Sequence, residues 1–170
     1  MEYKPNVDAA FWLSREIFPA IVRRVPEARL LLVGHDTRHR LRPLADGRRI
    51  IATGSVADVA PLVGEAAVSV APIRAGSATR IKILEALALG VPVVSTTLGA
   101  EGLDLVPGRE IVLADAPEAF AESVVRLLTD RATRDAMGHA GRGAVARAYD
   151  WTGIETRLGD EARDWLAAPG

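Results

Sequence analysis

A chain of 170 residues, 49% hydrophobic and 25% charged, has room for one compact domain with one core and none for a second catalytic domain. A net charge of -1 leaves no basic field of the kind that holds nucleic acid, although all 21 basic residues except Lys4 and Lys82 are arginines. The absence of cysteine removes disulfide scaffolds, thiolate metal sites and cysteine nucleophiles, and no apolar run approaches the roughly 20 residues that span a bilayer.

Met1 is followed by Glu, Tyr, Lys and Pro rather than by a basic and then apolar stretch, so no signal peptide is expected and the cytoplasm is the expected compartment. Asn6 precedes Val7, Phe11, Phe18, Ile21 and Val22, which predicts a capped amphipathic helix to about Arg24, bent at Pro19. Ala28 to Val33 is a continuous apolar run stopped by Gly34, the pattern of a strand buried on both faces, and a second strand follows at Arg49 to Thr53. His35 and His39 have helical spacing without the glutamate of a metalloprotease motif; with His139 they read as surface histidines, and no metal site is expected.

Val56 to Ala66 reads as a short helix and Ala67 to Ala71 as a buried strand ending at Pro72. Thr79 to Leu89 is then helical and closed by Gly90, with a strand at Val91 to Ser95 and another at Ile111 to Leu113. Glu118 to Leu128, Thr133 to Tyr149 and Ile154 to Leu166 are expected as helices, the last with Trp151 as a packed terminal element. Alternating helices and buried strands predict an α/β fold: a Rossmann-like, doubly wound parallel sheet in three αβα layers, with a helical C-terminal tail. No repeat, low-complexity tract or internal boundary divides residues 1–170, so a single domain is expected.

Ligands of open parallel sheets bind outside the carboxyl ends of the strands, where loops and helix N-termini present backbone N–H groups to anions. Three segments fit: Gly54, Ser55 and Val56; Arg74, Ala75, Gly76, Ser77, Ala78 and Thr79; and Thr96 to Ala100. In the middle loop small residues admit a phosphate or sugar to the backbone, and Arg74 and Arg80 add charge. On the following helix Ile81, Ile83, Leu84, Leu87 and Ala88 are expected to form a broad buried face, leaving Lys82 and Glu85 side by side. These two are either a surface ion pair or a ligand-facing pair, with the carboxylate accepting from ribose hydroxyls and the ammonium facing phosphate.

The stretch Ala71 to Leu103, APIRAGSATRIKILEALALGVPVVSTTLGAEGL, resembles the donor-binding signature of family 4 glycosyltransferases. The likeness extends to the polysaccharide-building subgroup through Tyr3-Lys4-Pro5-Asn6, Pro26, Gly34, the Thr53-to-Val59 turn and Tyr149-Asp150-Trp151. The resemblance implies the C-terminal, nucleotide-sugar-binding half of a two-domain GT-B enzyme that transfers a hexosyl group from a UDP-sugar or GDP-sugar to a glycan or lipid-linked acceptor. It implies retention of configuration, no cofactor and no metal, a location at most peripheral to the inner membrane face, and an isolated domain that binds donor without turning it over. Glu85 then binds ribose as the second glutamate of a Glu-seven-residues-Glu motif; Gly54, Ser55 and Val56 flank the base; Gly76, Ser77, Ala78 and Thr79 meet sugar and diphosphate; and Arg80 or Lys82 balances phosphate charge. Ser77 stands where the wider family has its first glutamate, so the sugar and the catalytic residues are left unassigned.

Relatives also place a buried strand before the segment that opens here at Met1. The first strand and the N-terminal acceptor domain are therefore expected to be absent, with a homodimer forming through the resulting gap in the sheet. Two other readings compete. A nucleotide-sugar epimerase of related fold needs acidic and histidine residues that these loops hardly offer, and a non-catalytic α/β interaction domain keeps the fold without the ligand.

Overall fold

The computed structural model describes residues 4–34, 41–76 and 80–149. The chain opens on one helical stretch: α1 (Lys4–Trp12), a π turn (Leu13–Ile17) and α2 (Phe18–Arg24). It begins earlier than the Asn6 cap suggested, with Pro5 in the first turn, where no N–H is needed. The bend expected at Pro19 is a widened turn just before it, closed by Phe18 N–H donating to Leu13 O. In a regular α-helix the proline ring would meet the carbonyl of Arg15, and widening the turn accommodates it.

Among the described residues five strands follow: β1 (Leu30–Val33), β2 (Ile50–Gly54), β3 (Ser69–Ala71), β4 (Val93–Ser95) and β5 (Val112–Leu113). Each starts one or two residues later than its apolar run. Between and after them come α3 (Ala60–Gly64), α4 (Ile81–Ala88), α5 (Pro117–Thr129) and α6 (Arg131–Ala148). Local capping sets several of these starts. Asp46 accepts the N–H groups of Arg48, Arg49 and Ile50 at the entry to β2, and Asp130 caps α6 by accepting from Thr133 N–H at 3.0 Å. The helix expected over residues 154–166, Trp151, and His35 with His39 lie outside the described residues.

All paired strands are parallel, as a doubly wound fold requires. They form two groups, β1–β2 and β3–β4–β5, and among the described residues no ladder joins the groups. Strand alternation builds the αβα layers. Val94, with its register neighbours Val70 and Val112, faces a core shared by α1, α2, α5 and the Leu30 and Leu32 side chains of β1. Val93 faces the opposite core, formed with Ile83, Ala86 and Leu87 of α4 and backed by α6. Burial of α4 is narrower than its composition suggested: Ile81 is 55% exposed and Ala88 is exposed, because only the stripe Ile83, Ala86 and Leu87 faces the sheet and α6. No helix among the described residues is long and apolar enough to cross a membrane. No group of three or more His, Asp or Glu side chains there is placed to hold a metal ion.

Candidate functional site

Because the strands are parallel, the loops that follow β2, β3 and β4 leave from the carboxyl ends. Gly54 closes β2 with a φ of 76°, a left-handed turn that suits glycine, and turns the chain to exposed Ser55 and half-buried Val56. After β3, Pro72 is buried and the chain surfaces at Arg74, Ala75 and Gly76, whose φ is 83°. Ser77, Ala78 and Thr79 lie outside the described residues.

Buried hydroxyls at the end of β4 tie two of these loops together. Ser95 Oγ lies 3.2 Å from Ala71 O, and Thr96 Oγ1 donates to Ile73 O while accepting Gly99 N–H at 2.9 Å. One strand further, Thr97 donates its N–H and hydroxyl to Asp115 at 2.8 and 2.7 Å. A Cβ on Gly99 would fall 2.5 Å from Ser95 Oγ and 2.7 Å from Ala71 O. Gly99→Ala is therefore expected to lower stability by about 1 kcal/mol in a urea titration, the hydroxyls rotating aside but the carbonyl held by its strand.

The cations divide into two kinds. Arg74 grips Asp8 with two hydrogen bonds of 2.8 and 3.2 Å and lies 4.8 Å over the Trp12 ring. Arg80, half-buried just before α4, donates to Leu98 O at 3.2 Å and Glu101 at 3.1 Å, which binds the loop after β4 to the start of the helix. Both guanidinium groups thus have protein partners. Lys82 and Glu85 instead stand exposed on α4, Lys82 in its first turn and Glu85 in its second. Partial desolvation of the Lys82 ammonium lowers its pKa, and the Glu85 charge opposes that shift. Among the described residues, two shallow surface depressions lie away from these loops, one between α2 and α5 and one at the amino ends of β3 and β4.

The segment Thr96 to Ala100, one of the three that fit a ligand-side loop by sequence, uses the Thr96 and Thr97 hydroxyls to hold Ile73 O and Asp115. Asp8 and Asp115 carried no local signal, since their partners lie 66 and 18 residues away in the chain.

Parallel strands whose carboxyl ends carry small-residue and hydroxyl loops, with an exposed lysine and glutamate on the helix after the middle loop, define a Rossmann-like domain. The family described as Glycosyl transferases group 1 matches residues 1–130, and the chain belongs to that family, with the fold of a GT-B domain. It is 31% identical over 153 residues to phosphatidyl-myo-inositol mannosyltransferase of Mycobacterium tuberculosis, covering 84% of this chain and 40% of the relative. A GDP-mannose-dependent monoacylated alpha-(1-6)-phosphatidylinositol monomannoside mannosyltransferase of Corynebacterium glutamicum is 28% identical over 152 residues, covering 82% and 40%. Sucrose-phosphate synthase from Thermosynechococcus elongatus superposes with a TM-score of 0.67 at 26% identity, over 91% of this chain and 43% of that one. The chain thus spans about 40% of the length of these curated relatives.

Proposed function

We propose that this chain is the donor-binding domain of a glycosyltransferase, holding a nucleotide-diphosphate sugar whose hexosyl group passes to a glycan or lipid-linked acceptor carried by a partner domain. The observation that carries the reading is the exposure of Lys82 and Glu85 together on α4, the helix that follows the exit of β3. Glu85 accepts hydrogen bonds from the ribose hydroxyls, Lys82 faces the diphosphate, and Gly54, Ser55 and Val56 flank the base. Backbone N–H groups from Gly76 to Thr79 meet the diphosphate and sugar at the N-terminus of α4. As the glycosidic bond breaks, charge grows on the leaving diphosphate, and donors already held in place stabilise it without reorganising. Arg80 contributes from behind by fixing where the helix starts. Membership of family 4, a role in polysaccharide assembly and a cytoplasmic, peripheral location belong to the same reading. The names of the mannosyltransferase relatives support a lipid-linked acceptor and make a GDP-sugar the donor to try first.

Calorimetric titration of UDP, GDP, UDP-glucose and GDP-mannose into the chain tests this. One nucleotide series is expected to bind, and Glu85→Ala to weaken it about tenfold through loss of the ribose hydrogen bonds. Equal affinity in Glu85→Ala, or no binding at millimolar ligand, counts against the reading.

A further inference from the structure

An arginine at the edge of a small-residue loop invites assignment as a phosphate ligand, and Arg74 occupies that position. Its surroundings give it a different task. Asp8 and Trp12 lie four residues apart on α1 and so share one helix face, presenting a carboxylate and an aromatic face as a single receptor. The guanidinium fits both halves, with two hydrogen bonds to the Asp8 carboxylate and its carbon 4.8 Å above the Trp12 ring. The receptor is itself anchored. Trp12 is 4% exposed, meets Phe120 edge to face with centroids 6.0 Å apart, and donates its indole N–H to Glu16 at 3.2 Å. Arg74 and Asp8 remain nearly half exposed, so the contact gains from geometry rather than from burial.

We propose that Arg74 is a positioning residue: the Asp8–Trp12 receptor on α1 holds the exit of β3 from Pro72 to Gly76, on the side that receives the nucleotide, with no contact from Arg74 to phosphate. This rests on the donor-binding reading above, and it reverses the sign of one experiment. Were Arg74 a phosphate ligand, Asp8→Asn would free a cation, remove a nearby negative charge and tighten binding. As a latch, Asp8→Asn loosens the loop and weakens binding.

Two measurements on the 170-residue chain decide the matter. Hydrogen exchange of the peptide covering residues 72–82 is expected to quicken about tenfold in Asp8→Asn and in Arg74→Lys, with the strands unchanged, and to return to the original rate in Asp8→Glu. Calorimetry with whichever nucleoside diphosphate the parent chain binds is expected to show weakening by a similar factor in Asp8→Asn and rescue in Asp8→Glu. Unchanged exchange in residues 72–82, or tighter binding in Asp8→Asn, overturns the latch. If the parent chain binds no nucleotide, the donor-binding reading fails, and exchange alone still upholds or overturns the latch.

Discussion

Gly138→Ala is expected to destabilise the protein by about 3 kcal/mol, read as a lowered urea midpoint with little change in slope. A Cβ at this position would stand 2.1 Å from Gly90 O and 3.1 Å from Gly90 C, and both atoms belong to backbone. Gly90 has little room to move. It ends α4 with a φ of 76°, its N–H donates to Leu87 O, and the next residue donates to Ala86 O, each at 2.9 Å. The methyl group must therefore lift α6 away from α4, opening the core around buried Ala86 and Leu87. Gly141, one turn on, gives an internal comparison. Its Cβ would first meet Leu87 Cδ2 at 2.6 Å, the end of a flexible side chain, so Gly141→Ala costs less. Because α4 also carries Lys82 and Glu85, damage at Gly138 reaches the proposed donor site through the helix rather than through any contact.

Much of the fold was legible because its signals are local. Runs such as Leu30 to Val33 ended by Gly34, and the glycine that closes α4, mark strand and helix ends within a few residues, and the structure places elements there. The exposure of Lys82 and Glu85 was legible for the same reason, since they occupy what the apolar stripe leaves over. Signals that depend on distant partners were not. Ile81 is as apolar as Ile83, and only the narrow contact of α4 with the sheet and the glycine face of α6 separates an exposed residue from a buried one. The protein partners of Arg74 and Arg80 left no local mark, because Asp8 lies 66 residues from the first and Glu101 21 residues from the second. Division of the strands into two hydrogen-bonded groups left no mark either, because each strand looks alike whether or not its second edge is paired.

The second large effect is expected at Glu110, whose side chain is 2% exposed in the turn two residues before β5. Its Oε2 accepts Val106 N–H at 2.9 Å, and its Oε1 accepts from Arg109 at 2.8 Å and Arg147 at 3.0 Å. Burial by itself would raise the carboxyl pKa; the Val106 N–H and the two arginines outweigh it and hold the group below its ordinary value of 4.5. A carboxylate with a depressed folded-state pKa stabilises the protein above the unfolded-state value. That contribution is lost as pH falls through the lower folded-state value. Glu110→Gln keeps the shape and one acceptor but removes the charge, and is expected to cost about 2 kcal/mol at neutral pH, the scale of hydrogen bonds to a charged group. Both arginines are largely exposed, which keeps the loss below that of a fully buried pair. Urea titrations of parent and variant across the acid range are expected to converge as pH falls below the carboxylate range, because there the parent too has lost its charge. A constant gap between them at all pH values would show that Glu110 acts through packing alone. Arg147 lies on α6 and Val106 in the segment leading from β4 to β5, so the charge fastens that segment to the helix whose glycines support α4. Acid is therefore expected to loosen the segment after β4 and α6 together, and with them the backing of the helix that bears Lys82 and Glu85.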